Sequence, residues 1–435
     1  MRFFCAILTA LLSISALAKE HPNFIVIYVD DMGYGDLGMN GHPDIHTPNL
    51  DRMAREGTVF SQYYSASPAC TASRYALLTG KYPPRSGFRW VLDPKDPKGI
   101  HPNEFTLAEY LKEIGYQTAI FGKWHLGSTK QEYLPLANGF DEFLGFPYSN
   151  DMIPPKYQDI AFIKDQDTLE MNPDQSLLTK KYTEAALSFV HKNRKKPFFI
   201  YLPYAMPHTP LHASKDFKGR SKRGFYGDVV EELDYYIGEL LKNLDRSGLK
   251  RKTYVIFTSD NGPWLLQKDH GGSAGLFKDG KGSTWEGGMR VPFILWGHKD
   301  VKQQTVVRET FTALDILPSI LNLAKGKELK NPIDGIDLSN LFTAEGQGRD
   351  VFYYFGLNHK LFAVRKGKWK LHVDTYSQLN KDYFNKQLPL LFNLDEDPSE
   401  NYNLADKHPQ LVDEMRSLIH EFEKNIAETK TFWSN

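Results

Sequence analysis

A chain of 435 residues, 41% of them hydrophobic, can bury one large core and still carry a smaller second domain. Its 53 lysines and arginines balance 53 aspartates and glutamates, so it lacks the basic footprint of a nucleic-acid binder. With two cysteines, Cys5 and Cys70, a disulfide-built scaffold is excluded. The chain opens with Arg2, an apolar run from Phe3 to Leu17 and the small-residue site Ala16-Leu17-Ala18, which together read as a secretory signal peptide over residues 1–18. That run is short for a bilayer span, and no later stretch is apolar enough to make one. Removing the signal removes Cys5 and leaves Cys70 as a lone thiol in an exported protein. No Asn-X-Ser/Thr sequon is present, so a periplasmic or secreted bacterial protein fits better than passage through an endoplasmic reticulum.

Five apolar runs rich in β-branched and aromatic residues read as buried parallel strands: Asn23 to Val29, Gln117 to Phe121, Phe198 to Leu202, Thr253 to Thr258 and Val291 to Trp296. Helices fall between them. Thr47 is expected to cap a helix from Pro48 to Glu56, and a helix begins at Cys70 and closes at Gly80. Thr106 with Glu109 makes a capping box for a helix that stops at Gly115, and Val230, Leu233, Ile237, Leu240, Leu241 and Leu244 repeat with helical period. Beyond about residue 345 the pattern changes to short strands (Val351 to Phe355, Phe362 to Val364, Trp369 to Val373) and a last helix from Pro409 to about Glu428. This predicts an α/β domain over 19–345, with a mostly parallel or mixed sheet between helices, and a smaller antiparallel α+β domain over 346–435.

The residues just beyond the strand ends carry the chemistry. The first strand runs into Asp30-Asp31, the second into Lys123-Trp124-His125, the third into Pro207-His208 and the fourth into Asp260-Asn261. Ligands of open α/β sheets bind beyond the carboxyl ends of the strands, so these groups are expected at one edge. Three crowded carboxylates repel one another unless a cation neutralises them. An all-oxygen set containing an amide suits Ca²⁺ or Mg²⁺, and Ca²⁺ tolerates adjacent, irregular ligands better. Strand-end Asp and Asn also make turns and caps, which is the competing account of either pair alone. Cys70 at a helix N-terminus, with Arg74 one turn on, is expected to have a depressed thiol pKa. The bland alternative is a small buried hydrophobe.

The run Cys70-Thr71-Ala72-Ser73-Arg74 followed by Leu77-Leu78-Thr79-Gly80 resembles the signature of the type I, formylglycine-dependent sulfatases of the alkaline phosphatase superfamily. The resemblance extends through Thr47-Pro48-Asn49-Leu50-Asp51, Gly122-Lys123-Trp124-His125, Pro207-His208-Thr209-Pro210, Ser259-Asp260-Asn261-Gly262, Gly280-Lys281-Gly282 and Leu391-Phe392-Asn393-Leu394. Ala72 stands where proline is commonest in that signature.

The resemblance implies that a maturase oxidises Cys70 to formylglycine, whose hydrate attacks a sulfate ester. It implies one Ca²⁺ held by Asp30, Asp31, Asp260, Asn261 and the modified residue 70. Arg74 and Lys123 would hold the hydrate, Lys281 and His208 the sulfate and departing oxygen, and His125 would take the proton that lets sulfate leave. Phe146-Pro147-Tyr148-Ser149 resembles an arylsulfatase segment, which adds Ser149. Arg89, Trp90, Trp264 and His270 are candidate sugar contacts at the pocket mouth, whereas His42, His46 and His298 read as structural. The expected substrate is a sulfated carbohydrate. The rivals are a phosphoester or phosphonate hydrolase of the same superfamily and a non-catalytic sulfated-glycan-binding protein.

Overall fold

The computed structural model describes residues 21–326 and 328–434. The expected signal peptide and Cys5 lie outside the described residues. The strands, in chain order, are β1 (Asn23–Val29), β2 (Thr58–Phe60), β3 (Tyr63–Tyr64), β4 (Gln117–Lys123), β5 (Glu142–Phe146), β6 (Ala161–Lys164), β7 (Asp167–Met171) and β8 (Phe198–Pro203). They continue with β9 (Thr253–Ser259), β10 (Phe293–Gly297), β11 (Thr305–Val307), β12 (Phe311–Thr312), β13 (Val351–Phe355), β14 (Leu361–Lys366), β15 (Trp369–His372) and β16 (Leu390–Asn393). The helices are α1 (Pro48–Arg55), α2 (Cys70–Thr79), α3 (Leu107–Glu113), α4 (Leu178–Asn193), α5 (Phe225–Arg246), α6 (Glu286–Met289), α7 (Ala313–Leu323) and α8 (Pro409–Glu428).

Ten strands form one mixed sheet in the order β11-β2-β10-β9-β1-β8-β4-β5-β6-β7. Its centre, β9-β1-β8-β4-β5, is parallel. Alternation along β1 sends Phe24, Val26 and Tyr28 into one apolar layer and Ile25, Ile27 and Val29 into the other. The first layer also holds α2, α3 and α7 side chains, the second those of α1, α4 and α5. Burial on both faces explains why these strands read as continuous apolar runs. A separate antiparallel sheet, β13-β14-β15-β16, shares the first layer and is backed by Val412, Met415 and Ile419 of α8. No helix among the described residues is long and apolar enough to cross a membrane.

Two expectations fail. The fifth predicted parallel strand, β10, pairs with β9 antiparallel. The intervening stretch carries only a short 3-10 helix, Leu265–His270, and the one-turn α6, and neither supplies the crossover helix usual for a parallel return. Thr47 does not cap α1 with its side chain. Its hydroxyl instead accepts from Gly38 N at 2.9 Å and donates to Asp51 at 3.0 Å. The Thr106–Glu109 capping box forms as expected.

Candidate active site

The carboxyl ends of β1, β4, β8 and β9 meet at one edge of the sheet. Beyond β1, Asp30 and Asp31 are buried, and Asp31 turns through a left-handed φ of 65°. That turn lets its N–H donate to Asp260 Oδ1 at 3.0 Å, beyond the neighbouring β9. Asn261 Nδ2 donates back to Asp31 Oδ1 at 2.7 Å. Lys123, the last residue of β4, puts Nζ 2.5 Å from Asp30 Oδ2. Arg74 reaches up from α2, one turn after Cys70; its guanidinium lies 2.7 Å from Asp260 and 3.3 Å from Asp30. Its charge also lies 5.5 Å from the Tyr28 ring centre. From the loop between β9 and β10, Lys281 Nζ reaches Asp31 Oδ2 at 2.7 Å and sits 4.5 Å over the Trp264 ring. His208, beyond β8, has Nε2 3.5 Å from the same carboxylate.

Cys70 begins α2, a helix buried along its whole length and closed by Gly80 in the left-handed conformation. The expected low thiol pKa is not found. Burial pushes the thiol up, and the charges of Lys123 and Lys281 offset this only in part. Burial likewise pushes the Asp30 carboxyl up, but Lys123 and Arg74 outweigh it and hold the group far below its usual range. For Asp260 burial and the carboxylates of Asp30 and Asp31 prevail over Arg74, and the pKa rises. His125 is held well below its ordinary value by burial and by Lys123, and His208 is lowered by burial and by Lys281.

A divalent cation fits this set on the structure's own terms. Asp30 Oδ1 and Asn261 Oδ1 are buried acceptors with no hydrogen-bond partner. One ligand atom from each of Asp30, Asp31 and His208 lies within 4.8 Å of the others. The mutual repulsion that lifts Asp260 is what a hard cation relieves. The donors are chiefly carboxylate and amide oxygens, the chemistry of Ca²⁺ or Mg²⁺ rather than of zinc.

The remaining expected residues divide. Ser149 lies two residues beyond Pro147, whose carbonyl accepts from His125 N at 3.1 Å; it is buried and its Oγ is unpartnered. Trp264 lies against the site, its ring 5.4 Å from that of His208. Trp90 donates to Ser67 Oγ at 3.1 Å, three residues before Cys70. Arg89 points to solvent and pairs with Asp93 and Asp96, and His270 packs edge-on against Phe225. No hydrogen bond or ion pair among the described residues ties Arg89 or His270 to the cluster. His42 and His298 sit in structural roles, accepting from the backbone N–H groups of Ile45 and Asp300 respectively.

Three participants carry no local sequence signal. Leu92 O takes a 2.8 Å hydrogen bond from His125 Nε2, leaving Nδ1 buried and unpartnered. A backbone carbonyl carries no mark in a sequence. Asp151, two residues after Ser149, has a buried oxygen without a partner; burial lifts its pKa but the neighbouring His208 and Lys123 prevail and lower it. Gln378, from the segment before β16, hydrogen-bonds the Lys281 carbonyl.

A model of the family described as Sulfatase matches residues 22–327, and one described as the C-terminal region of aryl-sulfatase matches 347–435. The chain belongs to the sulfatase family. This sulfatase is 36% identical to the N-acetylgalactosamine-6-sulfatase of Mus musculus, over 97% of this chain and 90% of that protein. It is also 36% identical to the arylsulfatase A of Homo sapiens, over 95% and 90%. Among solved structures it resembles PsFucS1 sulfatase from Pseudoalteromonas sp., with a TM-score of 0.83 and 27% identity over 94% of this chain and 91% of that one. The sulfatase is therefore a sulfuric ester hydrolase, built on the expected α/β fold with an antiparallel C-terminal sheet.

Proposed function

We propose that this sulfatase is an exported bacterial enzyme that removes sulfate from a carbohydrate. In this reading it uses formylglycine made from Cys70 and one Ca²⁺ held by Asp30, Asp31, Asp260, Asn261 and the modified residue 70. The observation that carries the proposal is the pair of unpartnered buried acceptors, Asp30 Oδ1 and Asn261 Oδ1, set among Arg74, Lys123 and Lys281. When present, the hydrated aldehyde supplies a nucleophile with a second hydroxyl, and the cation supplies Lewis acidity.

The chain's own residues do the rest. Arg74 and Lys123 fix the carboxylates that face residue 70 and balance negative charge arriving with the substrate. Lys281 and His208 are the donors for sulfate oxygens and for the departing alcohol oxygen. His125 is oriented by Leu92 O, so its Nδ1 is the atom free to accept a proton as sulfate is released. Burial and Lys123 keep that imidazole neutral, as a proton acceptor must be. Ser149 Oγ offers a further donor to the sulfate region. Trp90 and Trp264 are proposed to stack on a sugar ring.

The substrate class draws support from relatives. One is named an N-acetylgalactosamine-6-sulfatase, and a structure 31% identical to this chain, Ps i-CgsB, holds k-i-k-neocarrahexaose. Export rests on the signal features of residues 1–18, and makes a formylglycine-generating maturase and the export machinery the partners in biogenesis. We place the catalytic domain at 19–345 and the C-terminal domain at 346–435. The phosphonate monoester hydrolase of Agrobacterium radiobacter shares the fold, at 17% identity and a TM-score of 0.65. The test is therefore turnover of matured enzyme on nitrophenyl sulfate, phosphate and phosphonate esters, and then on a panel of sulfated oligosaccharides. Sulfate release from one or more sugars supports the reading. A preference for phosphoryl esters, or glycan binding with no release, overturns it.

A further inference from the structure

Lys281 sits in a loop that the main sheet does not hold by itself. Its N–H donates to Pro263 O at 2.9 Å, and Gly282 N donates to Pro68 O at 2.8 Å, two residues before Cys70. Within the loop Ser283 N and Oγ donate to Gly280 O and Gly287 N to Lys278 O, and further support comes from the C-terminal region. Gln378 is buried at 5% exposure, and its Nε2 donates to Lys281 O at 2.7 Å while its Oε1 accepts from Leu266 N at 3.1 Å. Flipping that amide would set carbonyl against carbonyl and N–H against N–H, so its orientation is fixed by its partners. One side chain thus bridges the loop that carries Trp264 to the loop that carries Lys281. The same segment grips Asp279, which has a left-handed φ of 61°, twice more. Gln378 N faces Asp279 Oδ1 at 3.3 Å, and Tyr383 Oη donates to Asp279 Oδ2 at 3.1 Å. Tyr376 lies 3.4 Å from where a Cβ on Gly282 would stand.

We propose that Gln378 is a positioning residue through which the C-terminal domain sets Lys281 against the sulfate site. The inference rests on the role given to Lys281 above. A backbone hydrogen bond next to Lys281 fixes where its stem leaves the loop, and small displacements of a charged group cost rate steeply. Losing the bridge while keeping the bulk should therefore weaken what Lys281 does and nothing else.

The experiment compares Gln378→Met, Gln378→Glu and Lys281→Ala, alone and combined, on nitrophenyl sulfate and on a sulfated sugar. Methionine keeps the length and loses both bonds; glutamate keeps the acceptor for Leu266 N and loses the donor to Lys281 O. Both are expected to lower kcat/KM roughly tenfold on the sugar sulfate, whose alkoxide leaves poorly, and about threefold on nitrophenyl sulfate, scaled as one lost hydrogen bond. In the Lys281→Ala background, Gln378→Met should cost no further rate, which a merely structural role would not produce. Additive losses, or equal losses on both esters, would overturn the proposal. If Lys281→Ala itself turns over normally, the assignment of Lys281 fails instead. Should Gln378→Met not fold, Tyr383→Phe loosens the same loop through Asp279 and is expected to show the same leaving-group bias in smaller measure; an unbiased loss there also overturns the proposal.

Discussion

The acids at the carboxyl edge of the main sheet and the acids beneath the C-terminal sheet are equally buried, yet they are satisfied differently. Under the C-terminal sheet, Glu286 accepts from Tyr64 Oη at 2.6 Å and Lys370 Nζ at 2.9 Å. Glu400 accepts from Glu286 N at 2.7 Å, and its other oxygen meets His372 Nε2 at 2.7 Å and Lys370 at 3.0 Å. All four carboxylate oxygens there have donors. At the sheet edge, Asp30 Oδ1 and Asn261 Oδ1 have none, and beside them neither do Ser149 Oγ and His125 Nδ1. Under the C-terminal sheet the unpartnered buried atoms are His372 Nδ1, Thr284 Oγ1 and Tyr354 Oη, none of them a carboxylate oxygen; leaving a carboxylate oxygen unpaired as well costs on the order of 1–3 kcal/mol or more. One cluster holds the fold together, and the other, in the reading proposed above, receives a ligand. Substitutions in the two should consequently fail in different assays.

Cys70→Ala should give the largest effect: a fall in turnover on the order of a million-fold with the melting temperature almost unchanged. Mass analysis of the native peptide around residue 70 should show the thiol replaced by an aldehyde, and an unmodified thiol in fully active protein would sink the mechanism. Chelation comes next. Stripping Ca²⁺ should abolish turnover and lower thermal stability by about 3 kcal/mol at a hundredfold excess of ion over Kd, both recovering when Ca²⁺ is restored. Full activity and an unchanged melting temperature in chelator would return the edge cluster to an ordinary structural role.

The edge cluster was far more legible in the sequence than the cluster under the C-terminal sheet. Asp30, Lys123, His208 and Asp260 each come after an apolar run long enough to read as a strand, so the parallel-sheet rule alone brought them to one edge. Glu400 stands after no such run, and Lys370 lies inside the predicted strand Trp369 to Val373 and not beyond its end. Glu286, though part of the run Glu286-Gly287-Gly288-Met289-Arg290 that shares the family resemblance, is given no role by it, so nothing in the sequence gathers the three into one buried cluster. The same limit hid β6 and β7, whose residues apart from Phe162 are half-exposed or exposed and carry little apolar pattern. It also made β10 read as parallel, because an apolar run shows burial and not direction. Gln378 could not be found by any local rule. Its importance comes from a contact across 97 residues.

Breaking the satisfied cluster should cost stability before activity. Lys370 is fully buried between Glu286 and Glu400, and Lys370→Met leaves two carboxylates without their shared cation. Removing one partner of such a group costs about 3–5 kcal/mol. Urea titration should show that loss, while kcat/KM of the protein that remains folded falls by less than about threefold, since Lys370 Nζ also donates to Thr284 O, three residues after Lys281, at 2.8 Å. A large kcat defect at unchanged stability would mean that the two clusters are coupled.

The smallest effect is a pH limb belonging to the same cluster. Burial pushes the Glu286 carboxyl up, but Lys370, Arg290 and Arg365 outweigh it and bring it down to about 2. A carboxyl depressed in the folded state adds stability that is present above its unfolded pKa and is lost as protons bind the native form. Here that window runs from the ordinary value of 4.5 down to about 2, so stability should decline with acidification across it. Glu286→Gln starts from lower stability, because an amide cannot balance Lys370, but its curve should be flatter through this window. Titrating denaturant midpoints of the two proteins between pH 5 and about 2.5 reads the difference directly. Parallel curves would show that Glu286 titrates alike folded and unfolded, and that the donors around it supply no net preference for its charge.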